Sequence, residues 1–159
     1  MLNELNVGNY YQFDGCFTYE GYIIGQNIGE IARRLGLPQW RMKEGIYIAY
    51  ALRVPSVNEF EMAGITLDST DKFVRYDNNK MVYDVDKFKT LYKGIDIQGM
   101  KQMYHKTFAD GKLVKVIAKK KHIKGTEYPE GTLVPQILIT SQLPCLVAAY
   151  IPPQGMFTR

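Results

Sequence analysis

Gly45-Ile-Tyr-Ile-Ala-Tyr-Ala-Leu-Arg-Val54 is the stretch whose reading decides the fold. Its isoleucines and tyrosines favour a strand. Its continuity with the residues before it favours a helix, because Pro38 suits a first helical turn and Gln39–Glu44 extends it. Pro55 ends the run under either reading. Upstream the signals are clearer. Cys16–Ile24, CFTYEGYII, has the aromatic and β-branched content of a strand. Ile28, Ile31, Ala32 and Leu35 then recur at i, i+3, i+4 and i+7, which predicts a short helix with one apolar face, stopped by Gly36.

Downstream, Ser56 is placed to cap a short helix through Met62, closed by Gly64. Ile65–Leu67 reads as a short strand, and residues 73–85 read as a hairpin turning at Asp77-Asn-Asn79. Asp86–Tyr92 and Asp96–Phe108 are expected helices, the second with Ile97, Met100, Tyr104 and Phe108 on one side. After Asp110-Gly111 the chain alternates over Lys112–Lys119, with Leu113, Lys115, Ile117 and Lys119 on one parity. Leu133–Thr140 and Leu146–Ile151 are apolar enough for central strands, joined by Ser141–Cys145. These readings predict an α+β class: one compact domain over 1–159, helices mainly in the first two thirds, and an antiparallel sheet dominated by C-terminal strands. The tail from about residue 152 is expected to be loosely ordered, since Pro152-Pro153 ends the last strand.

At 159 residues the chain can bury a sizeable core without staples. Two cysteines, Cys16 and Cys145, are too few for a disulfide framework, and their apolar flanks predict buried thiols. Met1-Leu-Asn-Glu lacks the features of a secretory signal, and no apolar run approaches a membrane span, so a cytoplasmic site of action with no membrane partner is expected. No group of Cys and His has metal-ligand spacing, and no metal or cofactor is expected. Net charge is +4, and it is uneven. Residues 101–159 carry nine Lys or Arg against three Asp or Glu, whereas residues 1–100 carry eleven against thirteen. That asymmetry predicts an anionic partner for the second half, RNA or another phosphate-bearing ligand.

The charge concentrates in Lys101–Gly125, which holds eight basic residues and both histidines of the chain. His105 and His122 supply the parts for metal-independent RNA cleavage, one imidazole removing the 2′-OH proton and the other protonating the 5′-oxygen. Histidine suits both tasks because an imidazole titrates near neutrality. Lys124 would stabilise the phosphate charge, Tyr128 would orient the substrate, and Lys119, Lys120 and Lys121 would bind it. In these parts the stretch resembles the small ribonuclease toxins. A bacterial toxin or effector of that type, with a cognate neutralising protein, is the favoured expectation.

Two other patterns compete. Residues 28–52 resemble a regulator-type helix-turn-helix, and the resemblance implies a non-catalytic DNA-binding module with Gln39, Trp40, Arg41 and Lys43 facing a groove. The order Arg53, Ser69-Thr70, then Glu127, Glu130 or Gln136 resembles that of ADP-ribosyltransferases. That resemblance implies NAD as substrate, with Arg53 on its phosphates and Gln136 at the ribose, for a transferase or NAD glycohydrolase. No one motif in the sequence singles out a function.

Overall fold

The computed structural model describes residues 5–35, 44–64, 74–77, 80–83, 86, 94, 96–109, 112–119 and 136–158. Among the described residues seven strands run in chain order: β1 (Tyr10–Tyr19), β2 (Ile46–Ala51), β3 (Phe60–Gly64), β4 (Val74–Asp77), β5 (Lys80–Tyr83), β6 (Leu113–Ala118) and β7 (Gln136–Ile151). Two α-helices accompany them among the described residues, α1 (Ile28–Leu35) and α2 (Ile97–Phe108), with a single 3₁₀ turn at Glu20–Tyr22. The expected α+β class, with helices over the first two thirds, is therefore overturned by a β-rich fold. Its main sheet is not dominated by the C-terminal strands either, since β1, β2 and β3 supply three of its five members.

That sheet closes on itself. β1 pairs with β6, β6 with β2, β2 with β7, and β7 with β1, all antiparallel, and β3 adds to β7. β1 lies along β7 from Tyr10 to Thr18 but meets β6 only at Thr18 and Tyr19, so the ring shuts at one corner. β7 is the spine of the barrel. Its Ile139 is flanked by Gly15 and Phe60, and its Leu146 by Tyr10 and Tyr50. Shifts of register against β1 after Phe13 and against β2 after Ile48 bend it around the ring. Ser141–Cys145, expected as a link between two strands, lies inside this one long strand, with Cys145 paired to Tyr11 and Pro144 to Gln12.

Two apolar layers hold the barrel. The inner one takes Phe17, Tyr47, Ala49, Leu113, Leu143, Cys145 and Val147 from all four ring strands. Phe60 and Met62 of β3 and Phe108 of α2 extend it. The Phe60 and Phe108 rings meet edge to face at 6.3 Å, a contact typical of aromatic cores. The outer layer packs Ile28, Ile31, Ala32 and Leu35 of α1 over Ile46, Ile48, Val114 and Ile151. This explains the ambiguous run at 45–54. β2 is a wall between two cores, so Ile46, Tyr47, Ile48 and Ala49 are all buried and no helical or half-exposed face exists.

The other departures have local causes. No helix follows Ser56; a turn does, in which the Ser56 backbone N–H donates to Glu59 Oε1 at 2.9 Å and the Glu59 N–H donates to the Ser56 carbonyl at 2.9 Å. Arg53 locks that turn with two bonds to the Glu59 carboxylate, at 2.8 and 2.7 Å, and the chain then enters β3 where a helix through Met62 was expected. The C-terminal tail returns to the body. Phe157 is 3% exposed, its N–H donates to the Gln26 carbonyl, and its carbonyl accepts from Gly25. Helices 28–35 and 97–108 and the hairpin within 73–85 form where expected. Ile65–Leu67 and the segment 87–92 lie outside the described residues. No helix among the described residues is long and apolar enough to cross a membrane.

Candidate functional site

β6 carries the basic stretch along the barrel wall. Its alternation splits the residues by face. Val114 and Val116 join the outer layer under α1, while Leu113 and Ile117 face the inner one. Lys115 and Lys119 share the inner parity. The Lys115 ammonium sits 5.6 Å from the centre of the Phe17 ring, and the Lys119 ammonium 5.1 Å from that of Tyr150. Each ring face attracts the cation above it. The Lys115 ammonium reaches across to β1, where a Cβ built on Gly15 would lie 2.7 Å from it. Gly15 also has φ +98°, in the left-handed range that glycine adopts freely. The neighbouring Cys145 thiol is pushed up to about 11 by burial, with Lys115 pulling in the opposite direction. Cys16 and Cys145 are both free thiols, the first half-buried and the second buried.

Lys119 marks the rim. Its N–H donates to the Gly45 carbonyl at 3.1 Å, just where β2 begins. The Tyr150 hydroxyl donates to the Glu44 carbonyl at 2.6 Å, and the Tyr150 ring leans on Tyr47 at 5.2 Å. The packing is tight enough to demand glycine at 45. That residue has φ +100°, and a Cβ there would meet the Tyr150 hydroxyl at 2.5 Å and the Ile151 carbonyl oxygen at 2.6 Å. Lys119 is thus held at the mouth of the barrel by its backbone and by its ring partner together.

The other candidate residues are scattered. His105 is half-buried on α2, one turn past Lys101. Lys101 is 7% exposed, pairs with Glu61 at 3.4 Å and lies over the Phe60 ring at 5.8 Å, so it fixes α2 to β3. Arg53 is engaged by Glu59 at the surface turn, and that hydrogen-bonded pairing holds the Glu59 carboxyl at about 2 and raises the guanidinium. Gln136 is 2% exposed at the start of β7, where its Nε2 donates to the Leu35 carbonyl at 3.4 Å and covers the end of α1. Arg53 and Gln136 thus each have a partner of their own, the Glu59 carboxylate and the Leu35 carbonyl. Lys120, Lys121, His122, Lys124, Glu127, Tyr128, Glu130, Ser69-Thr70 and the helix-turn-helix positions Gln39–Lys43 lie outside the described residues.

Some polar groups had no signal in the sequence. Glu20, 4% exposed, accepts a hydrogen bond from the Tyr50 hydroxyl and ties the 3₁₀ turn to β2. The Tyr104 phenol is pushed well above its ordinary range, first by burial and then by Tyr22 nearby. The inward aim of Lys115, by contrast, follows from its parity with Leu113 and Ile117. Among the described residues no group of three His, Cys, Asp or Glu side chains could hold a metal ion. Comparison with family models, with curated proteins and with solved structures returns no match to the chain.

Proposed function

We propose that this chain is a small barrel domain that engages RNA, or another phosphate-rich ligand, at the rim marked by Lys119. The observation that carries the reading is the double fixing of Lys119, by the Gly45 carbonyl and by the Tyr150 ring. A cation held in place loses little freedom when a phosphate arrives. Small barrels that bind nucleic acid without reading its sequence rely on such basic grooves beside aromatic side chains.

The catalytic form of this reading is metal-independent cleavage of a toxin type. His105 and His122 are the acid–base pair, Lys124 is the phosphate-stabilising group, and Tyr128 orients the substrate. What supports it is the chemistry of these residue types and the place of His105 on a helix leading into β6. No feature of the described residues favours NAD consumption, because Arg53 is occupied by Glu59 and Gln136 by the end of α1.

The test is binding of a labelled oligouridine across a salt series. Phosphate contacts give a log–log slope of about −0.7 per neutralised phosphate on a single strand. The Lys119→Ala variant is expected to lower the magnitude of that slope by about one contact. A wild-type slope near zero overturns the reading. For cleavage, turnover in the presence of a chelator that disappears in His105→Ala supports the acid–base assignment, and full turnover in that variant removes it.

A further inference from the structure

β1 has two edges, and it uses them unequally. Toward β7 it pairs from Tyr10 to Thr18, whereas toward β6 it pairs only at Thr18 and Tyr19. Among the described residues no strand lies along that second edge over residues 10–14. A proline reveals which backbone groups stand there. Gln12 lies opposite Pro144, which has no N–H, so these two are not a pair that exchanges both bonds. The flanking bonds agree. The Val147 N–H donates to the Asn9 carbonyl at 3.0 Å, and the Val147 carbonyl accepts from Gly8 at 2.7 Å, so the groups that β1 turns to β7 belong to its odd-numbered residues. At the far end Glu20, of even parity, donates its N–H to the Lys112 carbonyl at 2.8 Å on the β6 side. The N–H and C=O groups of Tyr10, Gln12 and Asp14 therefore point away from β7, along the second edge.

The side chains alternate with the backbone. Tyr11 and Phe13 pack on the inner layer with their rings 6.0 Å apart. Tyr10, Gln12 and Asp14 are exposed, and Tyr10 is 68% exposed despite its size. Sheet edges that must stay single are commonly guarded by lysine or proline, and residues 10–14 contain neither.

We propose that residues 10–14 pair antiparallel with the same residues of a second copy of this chain, about a two-fold axis at Gln12. The strand complements itself in three ways. In register, Gln12 exchanges bonds with Gln12 of the second copy and Tyr10 with its Asp14, so the outward N–H and C=O groups are all used. On the inner face Tyr11 comes opposite Phe13, a favourable cross-strand aromatic pair. In charge, the two Asp14 carboxylates stand four residues apart, about 13 Å along the strands, each opposite a tyrosine and beyond the screening length in physiological salt. Such a contact is isologous and closes at two copies. It covers less than the about 800 Å² per partner of a standard interface, so the dimer forms as concentration rises. The inference is independent of the RNA-binding reading.

Sedimentation velocity of the intact chain, from micromolar to near-millimolar concentration, is expected to show monomer passing into dimer. Gln12→Pro removes an N–H that faces away from β7, so the melting temperature in dilute solution should hold while the dissociation constant rises at least about tenfold. Tyr11→Pro removes an N–H that faces β7 and should lower the melting temperature, which checks the phase of the edge. Should Gln12→Pro also lower it, Gln12→Lys takes its place, setting two ammonium groups together at the axis. By amide exchange, Gln12 should gain protection with concentration, whereas Tyr11 and Phe13 stay protected throughout. A monomer at every concentration overturns the proposal. So does a dimer of unchanged affinity in both Gln12 variants, which places the contact elsewhere. Full protection of the Gln12 amide in the dilute monomer also overturns it, because the edge is then covered within one chain.

Discussion

Gly15→Ala is the substitution that tests the interior of the barrel most sharply. Two costs follow from the structure. At φ +98° an L side chain is strained, which costs about 1–2 kcal/mol. The new Cβ would also lie 2.7 Å from the Lys115 ammonium. That ammonium is the far end of a flexible side chain and would swing away, giving up its place over Phe17, worth about 0.5–2 kcal/mol. The expected loss is about 1.5–4 kcal/mol, or a melting temperature lower by about 3–15 °C for a chain of this size. Urea denaturation of the wild type, Gly15→Ala, Lys115→Met and the double variant separates the terms. Once Lys115 is shortened only the backbone strain should remain, so the two substitutions should couple by about 0.5–2 kcal/mol. A Gly15→Ala loss below about 0.5 kcal/mol would refute the backbone argument. Additivity within about 0.3 kcal/mol would refute the contact between Gly15 and Lys115.

Tyr50→Phe removes the hydroxyl that donates to the buried Glu20 carboxylate, and is expected to cost about 1.5–3 kcal/mol in chemical denaturation. Glu20→Gln keeps the shape and an accepting oxygen, and should lose less than Tyr50→Phe. The Arg53–Glu59 pair should show in the pH dependence of stability. The Glu59 carboxyl is held at about 2 in the folded chain, below the unfolded value of about 4.3, so its contribution is complete above about 4.3 and is lost as pH falls towards about 2. Because the pair is largely exposed, that contribution is at most about 1 kcal/mol and shrinks in salt. Glu59→Gln should flatten this part of the profile, and an unchanged profile would assign the acid sensitivity elsewhere.

Much of the local structure could be read from residue pattern, because its causes are local. The α1 helix carries its apolar residues at helical spacing and presents them to one layer, and α2 does the same with Ile97, Met100, Tyr104 and Phe108. The reading failed where long-range contacts set the local form. Nothing within Gly45–Val54 says that one core lies inside it and another outside. Ser141–Cys145 read as a connection because Ser141 and Gln142 are polar and Pro144 is rigid, yet pairing with β1 draws them into one strand across a register shift. Ser56 offered a cap, but whether a helix or a turn followed depended on Arg53 closing over Glu59. The candidate site was half legible. The parity of Lys115 and Lys119 along β6 was plain in the alternation, whereas the Lys119–Gly45 and Gln136–Leu35 bonds join positions far apart in the chain and leave no trace in either neighbourhood.

The central place of β7 has a consequence for how the chain is made. β1, the earliest of the described strands in the chain, finds its main partner more than a hundred residues later. β2 and β3 also lean on that last strand, so before it appears only the short β2–β6 and β1–β6 pairings of the main sheet can form. Closing so long a loop is slow, and until it closes the inner apolar layer has no wall on one side. Closure of the barrel therefore waits until β7 has left the ribosome. A nascent chain stalled before Gln136 would expose Phe17, Tyr47 and Phe60 to whatever chaperone or aggregate it meets first.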